Sequence, residues 1–511
     1  MVRVQNNHYT FYNMRKQVLL YSLLFILVST LQAQTDIDAL RYATPNVQGT
    51  ARNASVGNTM GTIGAEISAL STNPAGIGKF SSTEFSITPA ISINNTSADY
   101  LNQSQKTSKV NFQLNNLGVV ISSRYANTSA AKKWNGLKFG FAINRLANFN
   151  EKYYFGGLNS QNSLLTSYGD LLKDRSIIQS EEDAKTKYPF GASIAYQLGL
   201  ITSDSVGNIY VATDSATMQQ DFTISRTGGI NELAIGVASV YNDKIMLGAS
   251  IGIPFLNYTE RILLQETDAL HTIDDLNNFS NLNYLKTRGV GFNVKVGIIG
   301  MPIQNLRLSL SLQTPGILFM RDAYLTSMEV DYASLSEILT GDSPDGNSRY
   351  KYVQPWKLNA GVGYIHKFGF LAVEYELSDA GNSKFKFNLD DISTKMYENS
   401  VNTSIKGKYG LFHTIKSGVE FKYKSVRFRG GVQYRTSPFK SAAAPTNITT
   451  SSLTYSAGIG YRGTRFFIDF AYLQTHNKEI FVPYTTNAGN VPSAVLSVKK
   501  PAILLTVGYK L

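Results

Sequence analysis

The sequence predicts an all-β protein: a 14-stranded antiparallel transmembrane β-barrel with an amino-terminal hatch, or plug, inside the lumen. Two observations carry this. Apolar and polar side chains alternate with a period of two in segments spread over the whole chain, and the connections between them alternate between short and long. A third observation sets the compartment: the chain opens on an export leader and holds no cysteine.

The leader comes first. Arg15 and Lys16 precede VLLYSLLFILVSTLQAQ, Val18 to Gln34. That apolar run has the length of a signal-peptide core and is too short and badly flanked for a spanning helix. Ala33 offers a cleavage point before Gln34, so residues 1–34 read as a signal peptide, with Met14 as an alternative start. A membrane anchor is the competing reading. Without cysteine there is no disulfide, no thiolate metal site and no cysteine nucleophile. No later stretch holds 18 apolar residues, so no transmembrane helix is expected.

The strands follow from the alternation. In LRLSLSLQ, Leu306, Leu308, Leu310 and Leu312 face one way, and Arg307, Ser309, Ser311 and Gln313 the other. Val426, Phe428, Val432 and Tyr434 oppose Arg427, Arg429, Gly431 and Gln433 in the same way. So do Val419, Phe421 and Tyr423 against Lys416, Gly418, Glu420 and Lys422. At the carboxyl end Ile503, Leu505, Val507, Tyr509 and Leu511 alternate with Leu504, Thr506, Gly508 and Lys510. Period two means strands with one apolar face.

Fourteen such segments lie near 84–96, 110–124, 136–150, 229–241, 244–259, 284–301, 305–322, 351–366, 368–378, 411–423, 425–435, 452–462, 465–475 and 501–511. Short connections (Asn242-Asp243, Pro302 to Gln304, Lys367, Lys424, Gly463-Thr464, and a longer one at Tyr125 to Asn135) alternate with long ones at 97–109, 151–228, 260–283, 323–350, 379–410, 436–451 and 476–500. An even strand count with short turns on one rim and long loops on the other is the signature of an outer-membrane barrel. A periplasmic β-sandwich array, the alternative, has no reason to sort its loops. Residues 84–511 therefore read as the barrel, in contact with outer-membrane lipid and lipopolysaccharide. Tyr423, Tyr434, Tyr461 and Tyr509 stand at strand ends, where an interfacial girdle belongs. The last strand is the expected signal for the barrel-assembly machinery, although Leu511 replaces the usual terminal aromatic. The protein is expected to be a monomer.

Residues 35–83 precede the first strand and do not alternate. Ala65 to Thr72 can form a short helix, which Pro74 stops by disfavouring helix at Asn73. Gly57, Gly61 and Gly64 do not have dinucleotide spacing and follow no strand. A compact segment of this length ahead of a closed barrel is placed to be a plug; a periplasmic tail is the alternative.

The stretch GTARNASVGNTMGTIGAEISALSTNPAGIGKFSSTEFSITP, Gly49 to Pro89, resembles the start of the FadL/TodX family of outer-membrane transport proteins, and most closely its Bacteroidetes branch. The resemblance continues through INRLANFN (Ile143 to Asn150), LSLQTPG (Leu310 to Gly316), PWKLNAGVGY (Pro355 to Tyr364), VEYELSD (Val373 to Asp379), YSAGIGYRGTRFFIDFAY (Tyr455 to Tyr472) and LLTVGYKL (Leu504 to Leu511). It implies passage of hydrophobic compounds, long-chain fatty acids or aromatic hydrocarbons, past a hatch and sideways through a gap in the barrel wall. By position Asn73, Pro74 and Ala75, with Gly76 beside them, match the family's hatch element. The same fold serves type IX secretion in the PorV branch, and some relatives are labelled hemin receptors; both are alternative functions.

Lumenal Arg307, Arg427, Arg429 and Arg435 are candidate contacts for an anionic head group, with pairing to Glu374, Glu376, Glu420 and Asp469 as the competing role. The loop 151–228 carries YYFGG, LLTSYGDLL and SIIQ, more apolar content than a solvated loop needs. No catalytic residue, metal site or cofactor is predicted: His8, His271, His366, His413 and His476 are scattered, and no HExxH or GxSxG occurs. The net charge of +12 suits an anionic membrane surface, and no basic run interleaves with aromatics as nucleic-acid binding would need.

Overall fold

A computed structural model describes residues 34–123, 133–173, 180–204, 208–213, 216–388, 391–445 and 448–511. The signal-peptide reading and the SIIQ stretch, Ser176 to Gln179, lie outside the described residues.

Fourteen antiparallel staves close into a barrel. We number them β1 (Glu84–Tyr100), β2 (Gln103–Ser122), β3 (Trp134–Asn148, continued by Glu151–Asn159), β4 (Met218–Tyr241), β5 (Ile245–Thr267), β6 (Leu276–Ile303), β7 (Leu306–Gln313, continued by Ile317–Tyr332), β8 (Gly346–Val353 and Lys357–His366), β9 (Gly369–Asp379, continued by Lys384–Phe387), β10 (Leu411–Tyr423), β11 (Val426–Arg435), β12 (Ser452–Arg462), β13 (Phe466–Phe481) and β14 (Ala494–Lys510). Each pairs with the next, and β1 closes on β14 through Glu84↔Lys510 to Asp99↔Val495.

The alternation sorts the two faces. Leu308, Leu310 and Leu312 are exposed on the outside, while Arg307 and Ser311 are buried inside. Val507 is 40% exposed and its neighbour Thr506 1%. An apolar belt that would cost free energy in water is stable against lipid. On the short-turn rim Phe466 and Tyr509 touch at 4.9 Å between ring centroids, and Tyr423 and Tyr461 are exposed nearby. Among the described residues no helix is long and apolar enough to cross a membrane.

The staves run further than the alternation does. Residues 97–109 are not a long loop: β1 and β2 continue through them to a two-residue turn at Leu101 and Asn102, both with positive φ (46° and 61°). Likewise β5 continues to Thr267, β13 to Phe481, and β14 begins at Ala494. Beyond the bilayer the outer face meets water and turns polar, while the inward face, with Ala98, Tyr100, Leu264 and Leu496, is buried at the mouth; the lipid-facing apolar stripe stops and the backbone ladder persists.

Residues 34–83 pack inside the barrel. They form α1 (Asp36–Ala43), α2 (Ala51–Ser55), α3 (Met60–Ile63) and two 3₁₀ turns, Ile67–Ser71 and Pro74–Lys79. Thr35 and Asp38 cap α1 reciprocally, with Arg41 paired to Asp38. The expected helix at Ala65 to Thr72 is only the first 3₁₀ turn. In the connection after β3, LLTSYGDLL forms a further helix, α4 (Leu164–Leu172).

Candidate functional site: the filled lumen and a seam in its wall

The amino-terminal segment is bonded to staves on all sides. Ala51 N donates to Thr506 Oγ1 (2.8 Å) on β14 and Thr62 N to Glu374 Oε1 (2.6 Å) on β9. Asn58 Nδ2 donates to Gln433 Oε1 (3.1 Å) on β11, and Ser250 Oγ on β5 donates to Leu70 O (2.8 Å). These bonds satisfy segment backbone that would otherwise be buried without partners.

Asn73, Pro74, Ala75 and Gly76 lie together and buried. Asn73 caps the second 3₁₀ turn, its side chain accepting from Ala75 N at 3.2 Å, and Pro74 occupies the first position, where its missing N–H is not needed. The motif therefore starts a turn as well as stopping one. It presses on two facing glycines of the wall: Gly248 on β5 meets Pro74 and Ala75, and Gly297 on β6 meets Asn73. Other inward glycines receive other parts of the segment. Gly118 meets Ile67, Gly140 and Gly236 meet Leu70, Gly361 meets Thr62, and Gly418 and Gly431 meet Val56 and Gly57. The sequence reading does not single out these wall glycines. Their signal is available in it: glycine inside a strand marks close backbone approach.

The four arginines do not converge. Arg429 is held by Glu420 (2.7 Å) and Asp469 (2.7 Å), and Arg462 shares Asp469 at 2.8 Å. Arg435 donates to Thr44 O at 3.2 Å and lies 5.8 Å from the Phe412 ring centroid. Arg427 bonds the carbonyls of Lys424 and Val426 on the short-turn rim. Arg307 and Arg427 both line a cavity on that same rim, the one pair of the four that the fold brings to a common space. Deeper in the lumen Lys295 pairs with Glu232 (2.8 Å) and Lys416 with Glu376 (2.7 Å), both pairs buried. Among the described residues no cluster of His, Asp and Glu has the spacing to hold a metal ion.

Two apolar regions occupy the half of the lumen nearer the long loops. At the mouth, α4 and the connection beyond it pack on Tyr100, Phe155 and Phe222. YYFGG, Tyr153 to Gly157, belongs to the continued β3 and supplies Tyr153 and Phe155 to this cluster. Deeper, α1 places Tyr42 among Phe149, Tyr258, Tyr352, Leu256 and Met320. Phe149 and Tyr258 are edge-to-face at 5.4 Å, and the Arg41 guanidinium stands 4.3 Å from the Tyr258 centroid.

Beside this packed cluster the wall is incomplete. The β2–β3 ladder covers only Asn116–Ser122 against Lys138–Asn144. From Asn115 to the turn, β2 has no backbone ladder to β3 among the described residues. β3 itself is interrupted at Phe149 and Asn150, after a register shift between Arg145 and Ala147. Opposite, the β1–β2 ladder shifts at Pro89, a residue without an N–H to give. Single side-chain bonds span the seam: Asn111 Nδ2 to Asn150 O (3.2 Å), Lys109 Nζ to Arg226 O (3.0 Å) and Gln105 Oε1 from Gly156 N (2.7 Å). From inside, Asn46 N and Gln48 N donate to Leu146 O (2.8 Å) and Arg145 O (2.9 Å).

A sequence model of outer membrane protein transport proteins (OMPP1/FadL/TodX) matches residues 28–510. The fold is similar to a FadL homologue of Pseudomonas aeruginosa (TM-score 0.54, 11% identity, covering 90% of this chain and 98% of that one). It is also similar to the Pseudomonas putida toluene transporter TodX (TM-score 0.50, 13% identity, 90% and 98%). No curated protein matches the chain by sequence. A closed 14-stranded barrel with an apolar belt, filled by its own amino-terminal segment and matched over nearly its whole length, is a member of the OMPP1/FadL/TodX family of outer membrane transport proteins.

Proposed function

We propose that the protein passes hydrophobic compounds, long-chain fatty acids or aromatic hydrocarbons such as toluene, from the cell exterior into the outer membrane. The observation that carries this is the seam between β2 and β3 beside the apolar cluster of Tyr42, Phe149 and Tyr258. From Val110 to Asn115, where Val110, Phe112 and Leu114 face outward, β2 lacks the ladder to β3 that satisfies backbone groups in lipid. A stretch of wall closed by a few side-chain bonds is the place where a barrel opens at least cost. An apolar solute that displaces this cluster then leaves sideways into the bilayer, with no polar channel to cross. The apolar mouth cluster, with Glu266 accepting from Ser163 Oγ (2.5 Å) and Gln220 Nε2 (2.9 Å), has the composition of a capture site: apolar surface with a few placed polar groups.

The amino-terminal segment is the hatch of this transporter. It closes the axial path by seating on the wall glycines, and residues 46–48 line the seam, so a solute that displaces them opens the side exit.

The test is uptake in a deletion strain complemented with the wild-type gene, using labelled oleate and labelled toluene in parallel. Complementation restores uptake of at least one. An assembled barrel that restores neither contradicts the proposal, and the difference between the two probes assigns the substrate class.

A further inference from the structure

On the short-turn side, beneath the amino-terminal segment, lies a cavity of about 530 Å³. Short turns face the periplasm in outer-membrane barrels, so this is the periplasmic vestibule. It shares no lining residue with the apolar cluster around Tyr42 or with the seam.

Eight Arg or Lys side chains line it against four Asp or Glu. The acids are already engaged. Asp469 and Glu420 are held by Arg429, Glu84 faces Lys510 at 3.6 Å, and Glu66 accepts from Thr50 Oγ1 at 2.8 Å. The cations left over are Arg307, Lys79, Lys367 and Lys422. Arg307 is 8% exposed and makes no hydrogen bond or ion pair among the described residues. Its side chain is mostly covered, and its guanidinium faces the cavity without a protein carboxylate opposite it. Lys79, exposed at the end of the second 3₁₀ turn, likewise has no bonded partner among the described residues; partial desolvation and the neighbouring Arg307 charge hold its ammonium below its ordinary value, against the opposing pull of Asp243. Two like charges thus line one cavity. The cavity falls within the ~300–1,000 Å³ range of small-molecule sites.

We propose that this vestibule binds a small oxyanion, a phosphate- or carboxylate-bearing solute entering from the periplasm, with the Arg307 fork as its principal donor and Lys79 as the second. A planar guanidinium matches both anions bidentately, and the ammonium adds a point charge.

The experiment is calorimetric titration of the purified full-length protein in detergent, at fixed ionic strength set with sodium chloride. Inorganic phosphate is one probe and citrate the other, which separates the two chemistries. Wild type is expected to bind at least one saturably. Arg307→Gln should weaken that binding at least tenfold and Lys79→Gln several-fold, while Lys152→Gln, at the far end of the barrel, leaves it unchanged. Heat-modifiable gel mobility shows which variants are folded. Should Arg307→Gln fail that control, the exposed Lys79 decides. The proposal is overturned by absence of saturable binding of both probes, or by folded Arg307→Gln (or, in its place, Lys79→Gln) binding as wild type does.

Discussion

Asn73 Oδ1 occupies the space that a side chain on Gly297 would need: a Cβ there would lie 2.0 Å from it. The contact joins the amino-terminal segment to β6 without room for a methyl group. Gly297→Ala should therefore push the segment off the wall. Overpacking of this kind costs about 1–3 kcal/mol. A lowered heat-modification midpoint is expected, with raised single-channel conductance in planar bilayers. Gly430→Ala is the control, because its Cβ would meet only Val419 at 3.8 Å. Equal behaviour of the two variants would show that the seat is not tight.

Leu308→Arg and Val507→Arg place charge on the lipid face and should each cost about 2–4 kcal/mol near the bilayer midplane, impairing assembly. Across the strand, Ser309→Ala removes a 2.7 Å bond to Thr62, and Thr506→Ala removes the acceptor of Ala51 N. Those losses should be about 1 kcal/mol each, visible as a looser segment in an assembled barrel. Assembly yields on folding into vesicles check both arms.

Glu232 and Lys295 are each 1% exposed and paired at 2.8 Å. Glu232→Gln leaves a buried ammonium without its counter-charge, with Asn293 Oδ1 as its remaining acceptor, and should destabilise by about 3–5 kcal/mol. Adding Lys295→Met should recover much of the loss, as read from urea unfolding in detergent. A double variant no better than the single would mean that the pair does not act as a unit.

The double variant Asn73→Ala with Pro74→Ala removes the cap and the fixed backbone angle of the second 3₁₀ turn. Barrel assembly should persist. Uptake of a labelled fatty acid should fall, or small polar solutes should leak through the lumen. A folded variant that matches wild type in both uptake and conductance would reduce the motif to a plain turn.

What is legible in the sequence is what lipid dictates. Leu308 and Arg307 differ in hydropathy because one meets hydrocarbon and the other the lumen, so alternation locates all the staves. Residues 97–109 read wrongly as a loop because the outward face turns polar there, at Ser97 and Asp99, while Ala98 and Tyr100 are buried inward, so the lipid-facing apolar stripe that marks the other staves is missing. Asn102 favours the positive φ of the tight turn there, but Leu101 does not announce it. The seam is unreadable for another reason. Asn148 and Asn150 form part of the INRLANFN motif, yet nothing in a row of amides says that the ladder to β2 stops beside it. The arginines read as a set because they share a lumenal face; only the closed barrel separates Arg429, inside an ion cluster, from Arg307, facing a cavity.

The most direct measurement locks the seam. The chain has no cysteine, so Asn111→Cys with Asn150→Cys introduces its only two thiols, on the two sides of a 3.2 Å side-chain bond. Uptake of labelled substrate is compared in cells carrying the oxidised and the reduced pair, with cross-linking verified by gel mobility. The disulfide should stop uptake, and a reductant should restore it. Undiminished uptake by fully cross-linked protein would contradict release between β2 and β3.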